Sequence, residues 1–308
     1  MAGELNPVAT VGIAMLAGSL RVSTPFLFVS LGECLTEKAG RINLGNEGVL
    51  VLGAMVAYAT SYLTDSPWLG VIAAAVAGML LGGIHGLVCN LARVNDVAMG
   101  IAIMLFGTGI AFFFGKPYVQ PSAPQVPSIP FGFWSDAPQV RSALEVSPLF
   151  ILGLIAAVVM HWVFRSTRVG LRIRIVGDSN DAARALGLPI GQTRLLATAV
   201  GSGLAGIGGA FLSLSYPGSW NEGLSSGQGL MAVALVVFAR WNPLACVGAS
   251  ILFGAAGALG PSLQTVGITS GYYLFYAAPY VVTLLVLIIT VSPGRALRGM
   301  PGELSLGQ

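Results

Sequence analysis

The chain has 308 residues, of which 55% are hydrophobic and only 9% are charged, and its net charge is +3. About a quarter of the residues of an ordinary soluble domain are charged, so this composition excludes a soluble protein and indicates an integral membrane protein. The basic residues lie in loops between apolar stretches, where membrane topology already explains them. The sequence therefore predicts contact with a lipid bilayer and no nucleic-acid partner.

Long apolar stretches follow one another along the chain. They are Val8–Leu31, Val49–Leu63, Trp68–Cys89, Val97–Phe114, Leu149–Phe164, Leu195–Tyr216, Leu230–Ala239, Leu244–Leu259 and Tyr272–Val291. A helix needs about 17 to 25 apolar residues to cross a bilayer, and shorter stretches can tilt or be buried within a bundle. We expect an all-α, polytopic transmembrane bundle of about eight to ten spans, formed by a single domain that covers residues 1–308.

Polar residues interrupt this pattern directly after the first stretch. Those between Leu31 and Val49 are Glu33, Glu37, Lys38, Arg41, Asn43, Asn46 and Glu47. Ionisable groups at membrane depth are costly and normally face a partner or a water-filled cavity. One interpretation is a turn at the membrane surface in which Glu37, Lys38 and Arg41 are solvated or pair locally. The other is a discontinuous helix, whose non-helical backbone lies beside a transport path.

A basic loop covers residues 165–194. Its charged residues are Arg165, Arg168, Arg172, Arg174, Asp178, Asp181, Arg184 and Arg194. Positively charged loops of this length remain in the cytoplasm, so we place this loop inside. Alternation along the chain then places Arg93 inside, the proline-rich loop 116–147 outside, and the C-terminal Arg295 and Arg298 inside.

The basic loop contains the pattern of a short helix. Ser179 or Asn180 can cap its N-terminus, and Asp181 places negative charge in its first turn. Alanine-rich sequence continues it, and Gly187 is typical of a helix end. Two helical turns are too short to be stable alone, so this helix must pack on a partner. We interpret it as a docking element for a soluble subunit, with these contact residues: Asp178, Ser179, Asp181, Ala182, Ala183, Arg184 and Gly187.

Small residues recur at a spacing of four in the stretch that follows this loop, at Gly201, Ala205 and Gly209. A helix with such a face allows the backbone of a neighbouring helix to approach closely. The chain contains 42 glycines in all, about twice the usual frequency of ~7%. This composition predicts a compact, densely packed bundle.

Cysteine, histidine and tryptophan give little evidence of a chemical site. We expect core positions for the cysteines, which lack metal-ligand spacing: Cys34, Cys89 and Cys246. The chain has two histidines, in separate spans, which we interpret as packed or hydrogen-bonded residues: His85 and His161. We interpret the tryptophans as anchors at the membrane interface: Trp134, Trp162, Trp220 and Trp241. The sequence thus predicts no metal site, no cofactor and no catalytic residues.

Three blocks of sequence resemble those of one transporter family. They are GECLTEKAGRINLGNEGVLVLGAMVA, GDSNDAARALGLPIGQTRLLATAVGSGLAGIGGAFLSL and GQGLMAVALVVFARWNPL. They are similar, in this order, to blocks of the bacterial importer permeases driven by ATP-binding-cassette (ABC) ATPases and grouped with simple-sugar, nucleoside and branched-chain amino acid systems. The nucleoside-type permease subunits are the most similar, and with the intervening hydropathy the resemblance covers nearly the whole chain.

The resemblance implies an assembly in the bacterial inner membrane. Its implied parts are a cytoplasmic ABC ATPase, a second permease subunit that is identical or different, and an extracytoplasmic solute-binding protein. It assigns the short helix of the basic loop to coupling with the ATPase. It also places Asn43 and Glu47 near the substrate path. The chain itself lacks the G-x-x-x-x-G-K-[ST] nucleotide-binding motif, so ATP hydrolysis is expected in a separate polypeptide.

The resemblance leaves the solute open. Nucleoside-type permeases tend to carry an asparagine in the block VAMGIAIMLFGTG, where this chain has Met104. The missing amide weakens the case for a nucleoside sugar and leaves open a flatter, more apolar ligand, such as a purine base or a flavin-like ring. A nucleoside, purine base or related ring compound is the expected solute class, with a simple sugar, branched-chain amino acid or flavin as alternatives.

Two other classes of membrane protein agree less well with the sequence. An ion-coupled secondary transporter or channel usually carries ionisable residues inside its spans, and the apolar stretches after residue 48 contain no Asp or Glu. A polytopic membrane enzyme needs convergent catalytic groups or metal ligands, which the two separated histidines do not provide. The expectation is therefore a non-catalytic transport subunit.

Overall fold

The computed structural model describes residues 7–91, 93–134, 140–141, 144–264, 275, 277–290 and 299–305. Its regular structure is almost entirely helical. The helices are α1 (Pro7–Lys38), α2 (Asn46–Thr64), α3 (Pro67–Cys89), α4 (Asp96–Gly115), α5 (Pro148–Ser166), α6 (Arg168–Asp178), α7 (Asn180–Ala185), α8 (Ile190–Leu214), α9 (Gln228–Phe238), α10 (Pro243–Gln264), α11 (Ala278–Thr290) and α12 (Gly302–Ser305). A short 3-10 helix at Lys116–Tyr118 follows α4, and the two-residue strands Ile129–Pro130 and Glu145–Val146 pair antiparallel.

The predicted all-α transmembrane bundle is confirmed. Among the described residues, seven helices are long and apolar enough to cross a membrane: α1, α2, α3, α4, α5, α8 and α10. Seven is fewer than the eight to ten spans expected, because α9 has only 11 residues and α11 has 13 described residues. The start of the stretch Tyr272–Val291 and the basic residues Arg295 and Arg298 lie largely outside the described residues.

Helix α1 is one continuous helix whose last turns contain the first residues of the polar segment. It has 32 residues, contains Pro25 and includes Glu33 and Glu37 before it ends at Lys38. The chain is non-helical over residues 39–45, and α2 begins at Asn46. The predicted break therefore exists, but it is shorter than the sequence suggested and lies entirely after the acidic residues of α1.

Helix α8 lies at the centre of the bundle and packs against α1, α2 and α3. Its small residues make these contacts possible. A Cβ on Gly201 would overlap the carbonyl of Gly32 in α1, and one on Gly209 would overlap the carbonyl of Leu50 in α2. The small-residue face predicted from the spacing of four is thus confirmed as the surface where neighbouring backbones approach most closely.

The loop after α4 covers the end of the bundle that we predict to be extracytoplasmic. Tyr58 donates a hydrogen bond to the carbonyl of Pro121 (2.8 Å), and Ser61 donates one to Pro124 (2.6 Å). A cavity of about 420 Å³ opens at this end. It is lined by Arg21, Gln125, Val126, Pro127, Ser128, Glu145, Ser147, Phe211, Ser215 and Tyr216. Part of the predicted loop 116–147 lies outside the described residues.

The tryptophans divide into two groups. Trp134 and Trp162 are exposed, as membrane-interface anchors would be. Trp220 and Trp241 are buried, so that interpretation was wrong for them. The indole N–H of Trp220 donates to the carbonyl of Gly115 (2.9 Å), and that of Trp241 donates to the carboxylate of Glu37. The three cysteines are free and buried, as expected.

Candidate transport and coupling sites

The N-termini of α2 and α9 meet near the middle of the bundle. Gly48, in the first turn of α2, lies against the backbone of Met104, about halfway along α4. Gly229, in the first turn of α9, approaches so closely that an added Cβ would lie 2.6 Å from the Cα of Glu47. We call residues 43–48 and 225–229 the central junction. Because α9 is only about 16 Å long, it extends from this junction to one end of the bundle, roughly half a membrane thickness.

Glu47 binds the N-terminus of α9. Its carboxylate accepts hydrogen bonds from the Ser225 hydroxyl (2.5 Å), the Gly227 N–H (3.2 Å) and the Gly229 N–H (2.6 Å). The first N–H groups of a helix have no partner within the helix and carry partial positive charge. A carboxylate at this place satisfies them and neutralises the charge. The Glu47 side chain is half-buried, and its carboxylate is already hydrogen-bonded within the chain.

Asn43 connects α1, α2 and α8 from within the non-helical segment. Its N–H donates to Glu33 (2.8 Å), its side-chain amide donates to Ser202 in α8 (3.0 Å), and its side-chain oxygen accepts from Gly45 (3.0 Å). The Asn46 amide binds the second oxygen of Glu33 at 2.7 Å. Asn43 and Glu33 are fully buried. The network satisfies polar groups that would otherwise be costly at this depth.

Met104 lies beside this junction. It is half-buried, and its backbone contacts Gly48, next to Glu47. The structure therefore brings together the three residues that the resemblance associates with the substrate path, Asn43, Glu47 and Met104. Their contact with a solute stays a prediction.

The remaining polar residues after α1 pair within the protein. Glu37 is buried and accepts a hydrogen bond from Trp241, so the interpretation of Glu37 as a solvated turn residue was wrong. Arg41 forms an ion pair with Asp96 at 2.7 Å and also donates to the carbonyl of Cys89. Arg41 does pair, but its partner Asp96 is 55 positions away, so the expected local pairing was wrong for Arg41.

Helix α7 is the short helix predicted in the basic loop. The Ser179 hydroxyl accepts a hydrogen bond from the Ala182 N–H (3.2 Å), which makes it the N-cap. At the other end Gly187 has a φ of +66°, and the Leu188 N–H donates to the Ala183 carbonyl (2.9 Å). The local signals for the start and the end of this helix were therefore read correctly.

The faces of α7 differ sharply. Ala183 is fully buried against the bundle, whereas the side chains of Asp181 and Arg184 are 94% and 72% exposed. Leu186 is also exposed, at 63%. An external partner can therefore contact Asp181, Ala182, Arg184 and Leu186, while Ala183 supports the helix from beneath. Asp178 and Gly187 flank the helix and are exposed.

Glu303 is a residue of this site that the sequence did not reveal. It lies in α12 and accepts a hydrogen bond from the N–H of Asn180, the first residue of α7, at 2.7 Å. No local pattern signals this contact, because the two residues are 123 positions apart. A single glutamate near the C-terminus does not indicate which residue it contacts.

The histidines provide no chemical centre. His85 is fully buried in α3, and neither of its ring nitrogens has a hydrogen-bond partner among the described residues; His161 lies in α5. Within the part of the chain that the structure describes, no group of three or more His, Cys, Asp or Glu residues could hold a metal ion.

A bundle of apolar spans with helix ends meeting at its centre and a short exposed helix at one end is the architecture of a multi-pass membrane transport protein. The chain belongs to the family described as branched-chain amino acid transport system / permease component, whose model matches residues 15–291. It is therefore a permease subunit, a transport component.

Several named relatives are similar over most of the chain. TsgC13 of Haloferax volcanii, an ABC transporter permease protein whose name assigns it to glucose, is 35% identical over 80% of this chain and 76% of its own length. The nucleoside ABC transporter permease protein NupC of Lactococcus lactis is 28% identical, covering 92% and 94%. The guanosine ABC transporter permease protein NupQ of Bacillus subtilis is 27% identical, covering 89% and 90%.

Proposed function

We propose that this permease subunit forms the membrane pathway of an ATP-driven importer that carries a small uncharged ring compound, most simply a nucleoside or purine base, into the cytoplasm. A separate cytoplasmic ABC ATPase supplies the energy, a second permease completes the pathway, and an extracytoplasmic protein delivers the solute. The observation that carries the proposal is α7, a short helix that is supported by the buried Ala183 and exposes Asp181 and Arg184 at one end of the bundle.

The central junction supports an uncharged solute. In transporters with discontinuous helices, half-helix N-termini commonly bind the anionic group of a substrate. Here Glu47 occupies that place and satisfies the N-terminus of α9 from within the chain. An anionic solute would meet a carboxylate instead of free N–H groups. The names of the relatives, which specify glucose, nucleosides and guanosine, agree with an uncharged solute.

Pairing with a different permease is favoured over self-pairing. Lactococcus lactis contains two relatives named as nucleoside ABC transporter permeases, NupC and NupB. Bacillus subtilis contains two named for guanosine, NupQ and NupP. We infer that this chain also has a sister subunit, which encloses the transport path near Asn43, Glu47 and Met104.

ATP binding would drive transport through α7. Closure of the ATPase subunits displaces a helix bound to them, and the bundle then changes between two packings with access from opposite sides. The residues that would contact the ATPase are the exposed ones of α7, together with the flanking Asp178, Ser179 and Gly187. Ala183 would transmit the displacement, because it is the residue of α7 that packs inside the protein.

The overall proposal is tested in proteoliposomes. The permease, its sister subunit, the ATPase and the binding protein are reconstituted, and uptake of radiolabelled guanosine and glucose is measured with ATP and with a non-hydrolysable analogue. Uptake of guanosine only with ATP is the expected result, and uptake of glucose would change the solute class.

The alternative function is an ion-coupled carrier, and the observation that favours it is the burial of Glu33 and Glu37 in α1. Uptake that persists without the ATPase and collapses with an ionophore would establish that alternative.

Docking is tested separately with charge reversal. Arg184→Glu changes an exposed residue of α7 and should abolish co-purification of the ATPase without reducing the yield of folded permease. Lys116→Glu, an exposed charge reversal at the opposite end of the bundle, is the matched control. Equal co-purification by both variants would contradict the docking assignment. Ala183→Arg is a poor test, because it inserts a charge into a buried position.

A further inference from the structure

Helix α7 is fixed to the bundle by few contacts of its own. It has six residues, and Ala183 is its buried side chain. The Ser179 cap and the closing turn at Leu188 are bonds within the loop and do not attach α7 to any other helix. A helix this short is not stable without external contacts. If it is to transmit a displacement, something else must join it firmly to the spans.

The last described residues of the chain supply this connection. We define residues 299–305 as the C-terminal clamp. One carboxylate oxygen of Glu303 accepts from the backbone N–H of Asn180 (2.7 Å), and the other accepts from the Asn180 side-chain amide. Both bonds go to the first residue of α7, where a carboxylate also complements the partial positive charge of the helix end. Glu303 therefore binds α7 at the end where the coupling loop enters it.

The same carboxylate is joined to the centre of the bundle through Arg194. Its guanidinium lies 3.5 Å from Glu303 and is buried. It also donates to the carbonyl of Ala39, directly after α1 (3.0 Å), and to that of Val176 in α6 (3.4 Å). Since Arg194 belongs to α8, the central helix, one continuous chain of polar contacts runs from α7 through Glu303 to the ends of α1, α6 and α8.

Further contacts hold the clamp in position. Lys38, the last residue of α1, donates to the carbonyl of Gly299 at 3.0 Å. Gly302 lies so close to the carbonyl of Asp178 that an added Cβ would overlap it. Leu304 is 8% exposed, so its side chain is buried in the protein. The clamp thus lies across the ends of α1 and α6 and has a defined position.

We propose that the C-terminal clamp makes α7 move as one body with α1 and α8, and that Glu303 is the positioning residue of this link. The inference rests on the proposed coupling role of α7. Without Glu303, α7 keeps its exposed face and still binds the ATPase, but its displacement is absorbed in the loop. Loss of the clamp therefore separates ATP hydrolysis from solute movement, whereas loss of the exposed face removes the ATPase altogether.

Two readouts on Glu303→Ala test this assignment, with Glu222→Ala, an exposed glutamate outside the clamp, as the matched control. In the complete complex, ATPase co-purification should be unchanged and the guanosine or glucose transported per ATP hydrolysed should fall several-fold. In the permease alone, amide hydrogen exchange at residues 180–186 should become about tenfold faster. Glu303→Gln retains an oxygen acceptor for the Asn180 N–H and should preserve most of the slow exchange.

Three outcomes distinguish this inference from the proposed function. Native exchange in α7, or a native ratio of transport to ATP hydrolysis in Glu303→Ala, would overturn the clamp while leaving ATPase docking intact. ATPase binding that survives Arg184→Glu would instead refute the docking role. Should Glu303→Ala fail to fold, Asn180→Ala removes one of the two bonds on the α7 side and must shift both readouts in the same direction.

Discussion

Helices α7 and α9 are both short, and a glutamate from a distant part of the chain binds the N-terminus of each. Glu47 binds α9 near the middle of the bundle, and Glu303 binds α7 at its end. The neighbours of Glu303, such as Asp178 and Asp181, are exposed, so water can replace a lost bond there. Glu47 at the central junction is also half-buried, but it lies at membrane depth, where an N–H group without an acceptor is more costly. The same interaction supports the packing of the bundle in one place, and in our proposal it supports the transmission of movement in the other.

Glu47→Ala should produce the largest loss of stability. It leaves the Ser225 hydroxyl and two N–H groups without an acceptor in the interior of a membrane protein, at a cost of roughly 2 to 4 kcal/mol. The apparent melting temperature, measured in detergent by fluorescence-detected gel filtration, should fall clearly. Glu47→Gln keeps one oxygen acceptor, so its melting temperature should lie between those of the unchanged protein and Glu47→Ala. A native melting temperature for Glu47→Ala would remove the distinction between the two helix ends.

Gly229→Ala should weaken the same junction sterically. Its new Cβ would lie 2.6 Å from the Cα of Glu47, so α9 must move away from α2, at a cost of about 1 to 3 kcal/mol. Gly248→Ala is the matched control, because nothing lies within 4 Å of an added Cβ in that part of α10. The control should be neutral or slightly stabilising, since alanine favours helix. Similar melting temperatures for both variants would show that the approach of α9 to α2 does not matter.

Glu303→Ala should reduce stability less than Glu47→Ala, by about 1 to 2 kcal/mol. The Asn180 N–H loses its acceptor at the end of the bundle, where water can enter, and the buried Arg194 guanidinium keeps the carbonyls of Ala39 and Val176 as acceptors. Thermal unfolding of the two variants under identical conditions measures the difference. An equal or larger loss for Glu303→Ala would mean that the clamp holds the fold together to the same extent as the central junction.

Ser179→Ala should have the smallest effect. The hydroxyl caps a single N–H at an exposed helix end, so its loss costs about 1 kcal/mol or less and stays local. We expect faster hydrogen exchange at residues 180–182 with an unchanged melting temperature. Thr167→Ala removes the equivalent cap from α6, where the hydroxyl accepts from Gly170 at 3.1 Å. That variant should accelerate exchange in α6 alone, and a shared response would show that the two helices unfold together.

The sequence predicted those features that depend on neighbouring residues. Ser179 and Gly187 identified the ends of α7, since capping acts over three or four positions. The spacing of Gly201 and Gly209 identified the packing face of α8. The spacing of small residues could not identify the helices that pack on this face of α8, because it describes only one helix at a time. Six residues are also too few for periodicity to show that Ala183 points inward.

Contacts between distant segments were not predictable. Trp241 follows an apolar stretch, which is a typical position for a membrane anchor. Its burial depends on a contact with Glu37, which is 204 positions away in the sequence. Glu303 likewise appears as an ordinary acidic residue in a polar tail. A resemblance in motifs placed Glu47 beside a transport path, but it did not reveal that the carboxylate is bound to Ser225 and Gly229.

The separation between Glu47 and its partners also shapes the synthesis of the protein. Ser225 and Gly229 follow it by 178 and 182 residues, and a ribosome that adds about 5 to 20 residues per second needs roughly 10 to 40 seconds to produce them. During that interval the hydroxyl and N–H groups that bind this carboxylate in the folded protein have not yet been synthesised. The contact between α2 and α9 can therefore form only after a segment made late in translation.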